Sequence, residues 1–302
     1  MTAAIETTGL SKRYGRTWAL RDCSLSVPSG RIVALVGPNG AGKTTLLHLA
    51  VGLLEPTDGT VRTLGSPPRE HADVLARVGF VAQDAPLYPG FRVRDMLALG
   101  RHLNPRWDAE LALDRIRRHD IDLRQRAGTL SGGQRAQVAL ALAVAKRPDL
   151  LVLDEPLASL DPLARREFLA SLMEAAAESE ITVLLSSHLV MDMERVCDYL
   201  IVLSAARVQV LGDVDELLAT HRTLIGARTG HDEVAGATVI SADHTERQST
   251  LFVRLDGRVV DPRWTAHEVS LEDLVLAYLA HPASSALPGP AAGPRRRMEV
   301  GA

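Results

Sequence analysis

The stretch GPNGAGKT, Gly37 to Thr44, sets three glycines around an ammonium and a hydroxyl. Small residues let successive backbone N–H groups wrap an anion, Lys43 offers a point charge for β- and γ-phosphates, and the Thr44 hydroxyl is a hard oxygen for Mg²⁺. The stretch follows the apolar run RIVALVG and opens the helical pattern TTLLHLAVGLL from Thr44. That context makes it a phosphate loop, with a helix N-terminus adding favourable electrostatics. The phosphate-binding set is Gly37, Pro38, Asn39, Gly40, Ala41, Gly42, Lys43, Thr44 and Thr45. Only Lys12, Lys43 and Lys146 are lysines among 34 basic residues, so a lysine at this place calls for explanation.

Two further apolar runs end on groups that can act on a phosphate. LLVLDE closes with Asp154 and Glu155. Asp154 can bind the Mg²⁺ water shell, and Glu155 can orient and deprotonate a water attacking the γ-phosphate. Taken alone, such an acidic pair is equally a plain turn. ITVLLSSH closes with His188, whose ring N–H can donate to the same phosphate, the structural alternative being a core histidine. A second glycine loop, LSGGQ at 130–134, opens the pattern SGGQRAQVALALAVAK and puts another helix N-terminus at a glycine turn.

These residues need elements to carry them. Short apolar runs suit strands buried on both faces of a parallel sheet, and the helical patterns between them, including PLARREFLASLMEAAAE from Pro162, give an α/β alternation. Ligands in such sheets sit at the carboxyl ends of the strands, where Gly37, Asp154, Glu155 and His188 all lie. Residues from about 91 to 130 have helical periodicity without a strand run and read as a helical insertion closed by the second glycine loop.

The totals set outer bounds. At 302 residues the chain can hold one large domain and a smaller one. A formal charge of −3 gives no net cationic field for nucleic acid or an anionic membrane. Cys23 and Cys197 are isolated, as small core residues in a reducing compartment would be. The histidines show no pairing at helical spacing that would suit a metal. The most apolar run, VALALAVA at 138–145, is far short of a membrane span, so any membrane role comes through a partner. The N-terminus lacks the pattern of a cleaved leader and reads as mature. From about 222 a strand pair, ATVISADHT and STLFVRLDG, precedes SLEDLVLAYLA, where Ser270 and Asp273 have capping-box spacing. Residues 282–302, rich in Pro, Gly and Ala, read as a disordered tail.

The order of GPNGAGKT, Gln83 in VGFVAQD, LSGGQ, LLVLDE, SLD at 159–161 and His188 resembles the nucleotide-binding subunit of ATP-binding-cassette (ABC) transporters over roughly residues 4 to 220. LSGGQ alone arises by chance on the order of once in a few thousand such chains. The resemblance implies a P-loop NTPase core of α/β class. It adds an antiparallel β subdomain, a helical subdomain at about 91–147 and, at 222–281, a small α+β accessory domain after a cassette at 4–221. It also implies ATP and Mg²⁺ as ligands, ATPase activity, and head-to-tail pairing with a second such subunit. In that pairing Ser131, Gly132, Gly133 and Gln134 serve the partner's ATP, and Asp161 braces the two sites; a helix cap before Pro162 is its other reading. Gln83 senses Mg²⁺ and leads to the surface that receives a permease. Tyr14 stacks on adenine, with a core tyrosine the plain alternative and Trp18 the runner-up. Thr44, Gln83 and Asp154 hold the metal, while Glu155, His188 and Lys43 are catalytic.

The C-terminal VSLEDLVLAYL points the resemblance towards drug-export-type cassettes on the cytoplasmic face of a membrane, bound through the permease. A soluble ABC protein of translation or repair is the alternative. The chain has one motif set and no long insertion between Lys43 and Ser131, and no feature calls for nucleic acid. A small-molecule kinase has no use for LSGGQ, and a catalytically dead cassette would not keep Lys43, Asp154, Glu155 and His188. Two departures stand out. LASLD replaces the family's usual Gly-Leu-Asp, and Ala206 stands where a hairpin glycine is usual, so a turn of another type is expected there. All ATPase motifs precede residue 189, which makes the C-terminal region dispensable for nucleotide binding in this reading.

Overall fold

A computed structural model describes residues 3–228, 233–255 and 261–281. The tail expected at 282–302 lies outside the described residues. The chain opens with strands β1 (Ala3–Tyr14) and β2 (Thr17–Pro28), then runs through β3 (Ile32–Val36) into helix α1 (Lys43–Ala50) and β4 (Asp58–Thr63). Helix α2 (Ala72–Ala76) and β5 (Val78–Val81) lead to α3 (Val93–Leu103), α4 (Ala109–Arg118) and α5 (Gly132–Ala145). Next come β6 (Leu150–Leu153), α6 (Pro162–Ser179), β7 (Thr182–Ser187), α7 (Val190–Met193), and the hairpin β8 (Tyr199–Ser204) and β9 (Arg207–Asp213). The C-terminal part comprises α8 (Val214–Thr220), β10 (His221–Ala227), β11 (Ala237–His244), β12 (Gln248–Leu255), β13 (Trp264–His267) and α9 (Leu271–Ala280).

The central sheet has the order β5-β6-β7-β3-β8-β9, parallel except for the β8–β9 hairpin. Alternate side chains of its strands enter two different cores. Val33, Leu35, Leu150, Val152 and Leu184 pack towards α1 and the antiparallel sheet β2-β1-β4. Ala34, Val36, Leu151, Leu153 and Val183 pack towards α5 and α6. Burial on both faces is why these strands read as unbroken apolar runs. A third core joins α3 and α4 to Val138, Ala141 and Ala145 of α5, whose Ala136, Leu140 and Val144 face the sheet instead. A helix clothed on all sides is apolar all round, which accounts for VALALAVA. No helix among the described residues is long and apolar enough to cross a membrane.

The fold class expected from sequence is the observed one, a P-loop NTPase core with antiparallel and helical parts and a C-terminal α+β region. Its details differ in two places. Among the described residues the C-terminal strands number four, in the order β11-β12-β10-β13, where sequence suggested a pair. β10 (HRTLIGA) and β13 (WTAH) are too polar and too short to stand out. The helix that follows packs between this sheet and the earlier part of the chain: Leu271, Leu274, Val275 and Tyr278 of α9 are buried with Ile240 and Phe252 of the sheet and with Met193, Leu200, Val202 and Val210. Burying three such aliphatic side chains is worth roughly 5–9 kcal/mol before the entropy of ordering the helix. α9 therefore joins the C-terminal sheet to the hydrophobic core of the central sheet. His221 is tied into the same junction, its Nδ1 2.7 Å from Leu217 O and its Nε2 2.9 Å from the Tyr278 hydroxyl, and burial pushes its pKa down.

The second difference is the β8–β9 turn. Ala205 and Ala206 both adopt left-handed backbones, φ 48° and 62°, between the paired Ser204 and Arg207. This is the type I′ geometry that glycine normally supplies, so the expected change of turn type does not occur. Each alanine pays about 1–2 kcal/mol for that conformation. The twist of the flanking strands and the Arg21 N–H, which donates to Ala206 O at 2.7 Å, hold it. Both cysteines are buried and free, and burial pushes the Cys197 thiol up to about 12.

Candidate functional site

The loop between β3 and α1 is forced into shape by its glycines. Gly42 has φ 106°, and a Cβ there would lie 2.2 Å from Ala19 O; a Cβ at Gly37 would lie 2.1 Å from Leu203 O. Ala41 N–H donates to Pro38 O at 3.1 Å, closing the turn. Lys43, the first residue of α1, is 5 % exposed, and its Nζ donates to Gly37 O at 2.7 Å and Pro38 O at 3.2 Å. The same Nζ lies 3.1 Å from Glu155 Oε1, an ion pair without the alignment of a hydrogen bond.

Across the strand ends a continuous chain of contacts connects the acidic residues. Thr44 Oγ1 donates to Asp154 Oδ1 at 3.2 Å, and Ser186 Oγ donates to the same oxygen at 2.8 Å. Ser186 Oγ in turn accepts the Glu155 N–H at 2.8 Å. Glu155 Oε2 is 2.8 Å from His188 Nδ1. Glu155 takes a left-handed φ of 47°, which turns its side chain away from that of Asp154, itself 1 % exposed. Sequence reasoning missed Ser186; its only signal is a hydroxyl residue inside the fully buried strand β7.

A cavity of about 590 Å³ gathers Asn39, Gly40, Gly42, Lys43, Thr44, Thr45, Gln83, Glu155 and His188. Gln83 sits in a turn closed by Ala85 N–H donating to Ala82 O, and among the described residues its side chain makes no hydrogen bond. Ala19 also lines the cavity, next in sequence to Trp18. Tyr14 and Trp18 do not line it. Both stand exposed on the β1–β2 hairpin, under Lys12 and Arg13 respectively, so the geometry does not choose between them.

Ser131, Gly132, Gly133 and Gln134 lie elsewhere. They line a second cavity, of about 390 Å³, with Gln137, Glu167 and Asp161, and no residue lines both cavities. Ser131 caps α5 in a capping box: its Oγ accepts the Gln134 N–H, and Gln134 Oε1 accepts the Ser131 N–H, both at 3.1 Å. Asp161 caps α6, accepting the N–H groups of Leu163 and Ala164 at 3.0 Å, with Pro162 at the first helical position. Gln137 carries no sequence signal of its own; it is 7 % exposed, and among the described residues its Nε2 has no hydrogen-bond partner.

The residues fit a Mg²⁺ ion held jointly with phosphates. Among the described residues no cluster of three or more His, Cys, Asp or Glu could cage a metal alone. A hydroxyl and a buried carboxylate oxygen 3.2 Å apart are the sparse, hard donor set that Mg²⁺ takes when phosphates and waters complete its shell.

The family model described as "ABC transporter" matches residues 20–158. The Nod factor export ATP-binding protein I of Burkholderia lata is 34 % identical over 296 residues, covering 91 % of this chain and 96 % of that protein. The sulfate/thiosulfate import ATP-binding protein CysA 2 of Rhizobium meliloti is 36 % identical over 224 residues, covering 70 % of this chain and 60 % of that protein. A solved structure described as the ATP-binding subunit of an ABC transporter superposes with a TM-score of 0.64 at 28 % identity, covering 72 % of this chain and 92 % of the other. Relatives thus span export and import systems, and none of these three is named for drug export.

Proposed function

The chain belongs to the ABC transporter family as an ATP-binding subunit, and from that premise we propose that it hydrolyses MgATP to drive a separate membrane permease in the export direction. The observation that carries this reading is the line of contacts from Thr44 through Asp154, Ser186 and Glu155 to His188, with Lys43 beside it in one cavity. Lys43 and the loop N–H groups bind the β- and γ-phosphates. Thr44 and Asp154, joined by Gln83, would hold Mg²⁺, which when bound would offset phosphate charge. Glu155 orients the attacking water and accepts its proton. His188, with Nδ1 on Glu155, keeps its other ring nitrogen for the γ-phosphate.

Ser131, Gly132, Gly133 and Gln134 would then complete the nucleotide site of a second subunit, with Asp161 at the same face. Their separation from the P-loop cavity within one chain supports this. Residues 4–221 form the cassette, with its helical part at about 91–147, and 222–281 an accessory region that lends α9 to the cassette core. An apolar groove of about 480 Å³ receives the permease; Phe80, Leu87, Leu142 and Lys146 line it, and it adjoins the Gln83 turn through Ala82 and Ala85. The chain works at the cytoplasmic face through that contact. The export direction is favoured because the Nod factor relative matches across 96 % of its length, whereas the sulfate/thiosulfate importers' matches cover 60–75 % of theirs.

Glu155→Gln tests this reading. The variant should bind ATP while hydrolysis falls on the order of 10²–10⁴-fold, leaving an ATP-dependent dimer in sedimentation. Turnover at the wild-type rate would place water activation elsewhere. Recovery of the chain only from the soluble fraction, with no multi-span protein co-purifying from membranes, would favour a soluble ABC ATPase instead.

A further inference from the structure

The loop after Gln83 and the segment before LSGGQ are laid side by side. Ala127 N–H donates to Phe91 O at 2.9 Å, Gly128 N–H to Pro89 O at 3.0 Å, Val93 N–H to Gln125 O and Arg94 N–H to Leu123 O, both at 3.0 Å. This pairing lays the backbone positions of Arg92, Arg94, Arg124 and Arg126 beside the segment of Tyr88 and Phe91, and Arg126 Nη1 donates to Gly90 O at 3.4 Å. The two rings lie 5.3 Å apart and are 63 % and 43 % exposed. Among the described residues Arg92, Arg124 and Arg126 have no carboxylate within ion-pair distance. Two acids are close, and both are engaged locally: Asp95 accepts the Arg92 N–H and lies 3.6 Å from Arg94 Nε, and Asp122 accepts the Arg124 N–H. The patch keeps an excess of positive charge on a chain whose formal total is −3. With screening over about 8–10 Å, the local excess and not the total decides what approaches.

We propose that this patch rests on an anionic lipid surface, an inference that stands on the permease reading above. Paired aromatic rings flanked by unpaired arginines match the headgroup region, where the rings enter the interface and the guanidiniums meet phosphates. Its position supports the same occupant. Leu87, next in the chain to Tyr88, lines the groove assigned to the permease, so a subunit seated there carries the patch beside a protein that is itself in the membrane.

The test is flotation of the purified full chain with vesicles of phosphatidylcholine, with and without phosphatidylglycerol, at low and high salt. Binding should require the anionic lipid and weaken with salt. Each Arg→Ala change at positions 124 and 126 should lower partitioning about fivefold, the equivalent of about 1 kcal/mol per cation, so the double variant should lose about 25-fold. Arg124→Lys with Arg126→Lys should restore binding, which a folding defect would not allow. Solution ATPase should not change, since neither arginine lies in the nucleotide cavity. Equal partitioning on both lipids, or none on either, would overturn the inference. So would a double variant that loses permease in detergent yet floats normally, which would make the patch a protein contact. Permease co-purification without lipid binding would remove this inference alone; its absence would remove the underlying reading.

Discussion

At Gly42 an added Cβ would stand 2.2 Å from a backbone carbonyl oxygen in a φ of 106°, whereas at Gly132 the nearest atom, Ser159 O, would be 3.6 Å away and φ is not left-handed. The first glycine loop is explained from inside the chain. Its backbone passes under β2 and β8 so closely that only glycine fits, and its lysine is held by two carbonyls of the loop itself. In the second loop Ser131 and Gln134 have a local task as a capping box, but nothing among the described residues requires Gly132 to lack a side chain. A helix's first turn would be somewhat better served by alanine. In the proposed pairing, the demand for a bare backbone there would come from a nucleotide phosphate held by another subunit.

That contrast can be broken by substitution. The largest effect is expected at Gly42→Ala, which combines a clash with backbone and a left-handed alanine and should cost about 3 kcal/mol or more. Chemical denaturation of the nucleotide-free protein reads this directly, and unchanged stability would mean that the loop is not confined as described. Gly132→Ala should leave stability unchanged or raise it by up to about 1 kcal/mol, while ATP hydrolysis falls about a hundredfold because a methyl group displaces the reacting phosphate. A variant with normal turnover would show that nothing approaches that backbone closely.

How much of this was legible in the sequence follows from where each residue sits. Lys43, Asp154, Glu155 and His188 could be found because each ends or follows a strand that is buried on both faces and so unmistakably apolar. Ser186 could not, because a buried serine on such a strand reads as filler until its hydroxyl is seen between Asp154 and Glu155. The place of α9 was also hidden: a capped amphipathic helix shows that it packs, not against what, and its partners Leu200 and Val202 lie some 70 residues upstream. The alanine turn at 205–206 was misjudged because strand twist overrode residue preference. The arginine patch vanished in the totals, its members being spread over two segments that only backbone pairing brings together.

The claim that the second loop serves another subunit's nucleotide is tested most directly by mixing two inactive variants. Ser131→Arg places a bulky cation where the γ-phosphate should approach, and Lys43→Ala removes the P-loop charge, so each homodimer has both sites damaged. In a heterodimer, loop and lysine from opposite chains meet: one composite site collects both lesions and the other is intact. ATPase rate is measured against mixing ratio, with subunit exchange confirmed by labelled chains and single-site turnover confirmed by mixing each variant with wild type. Activity that rises to a maximum near equal mixing is the predicted result. A flat line at the level of the separate variants would contradict it, because both loops would then act on the nucleotide of their own chain.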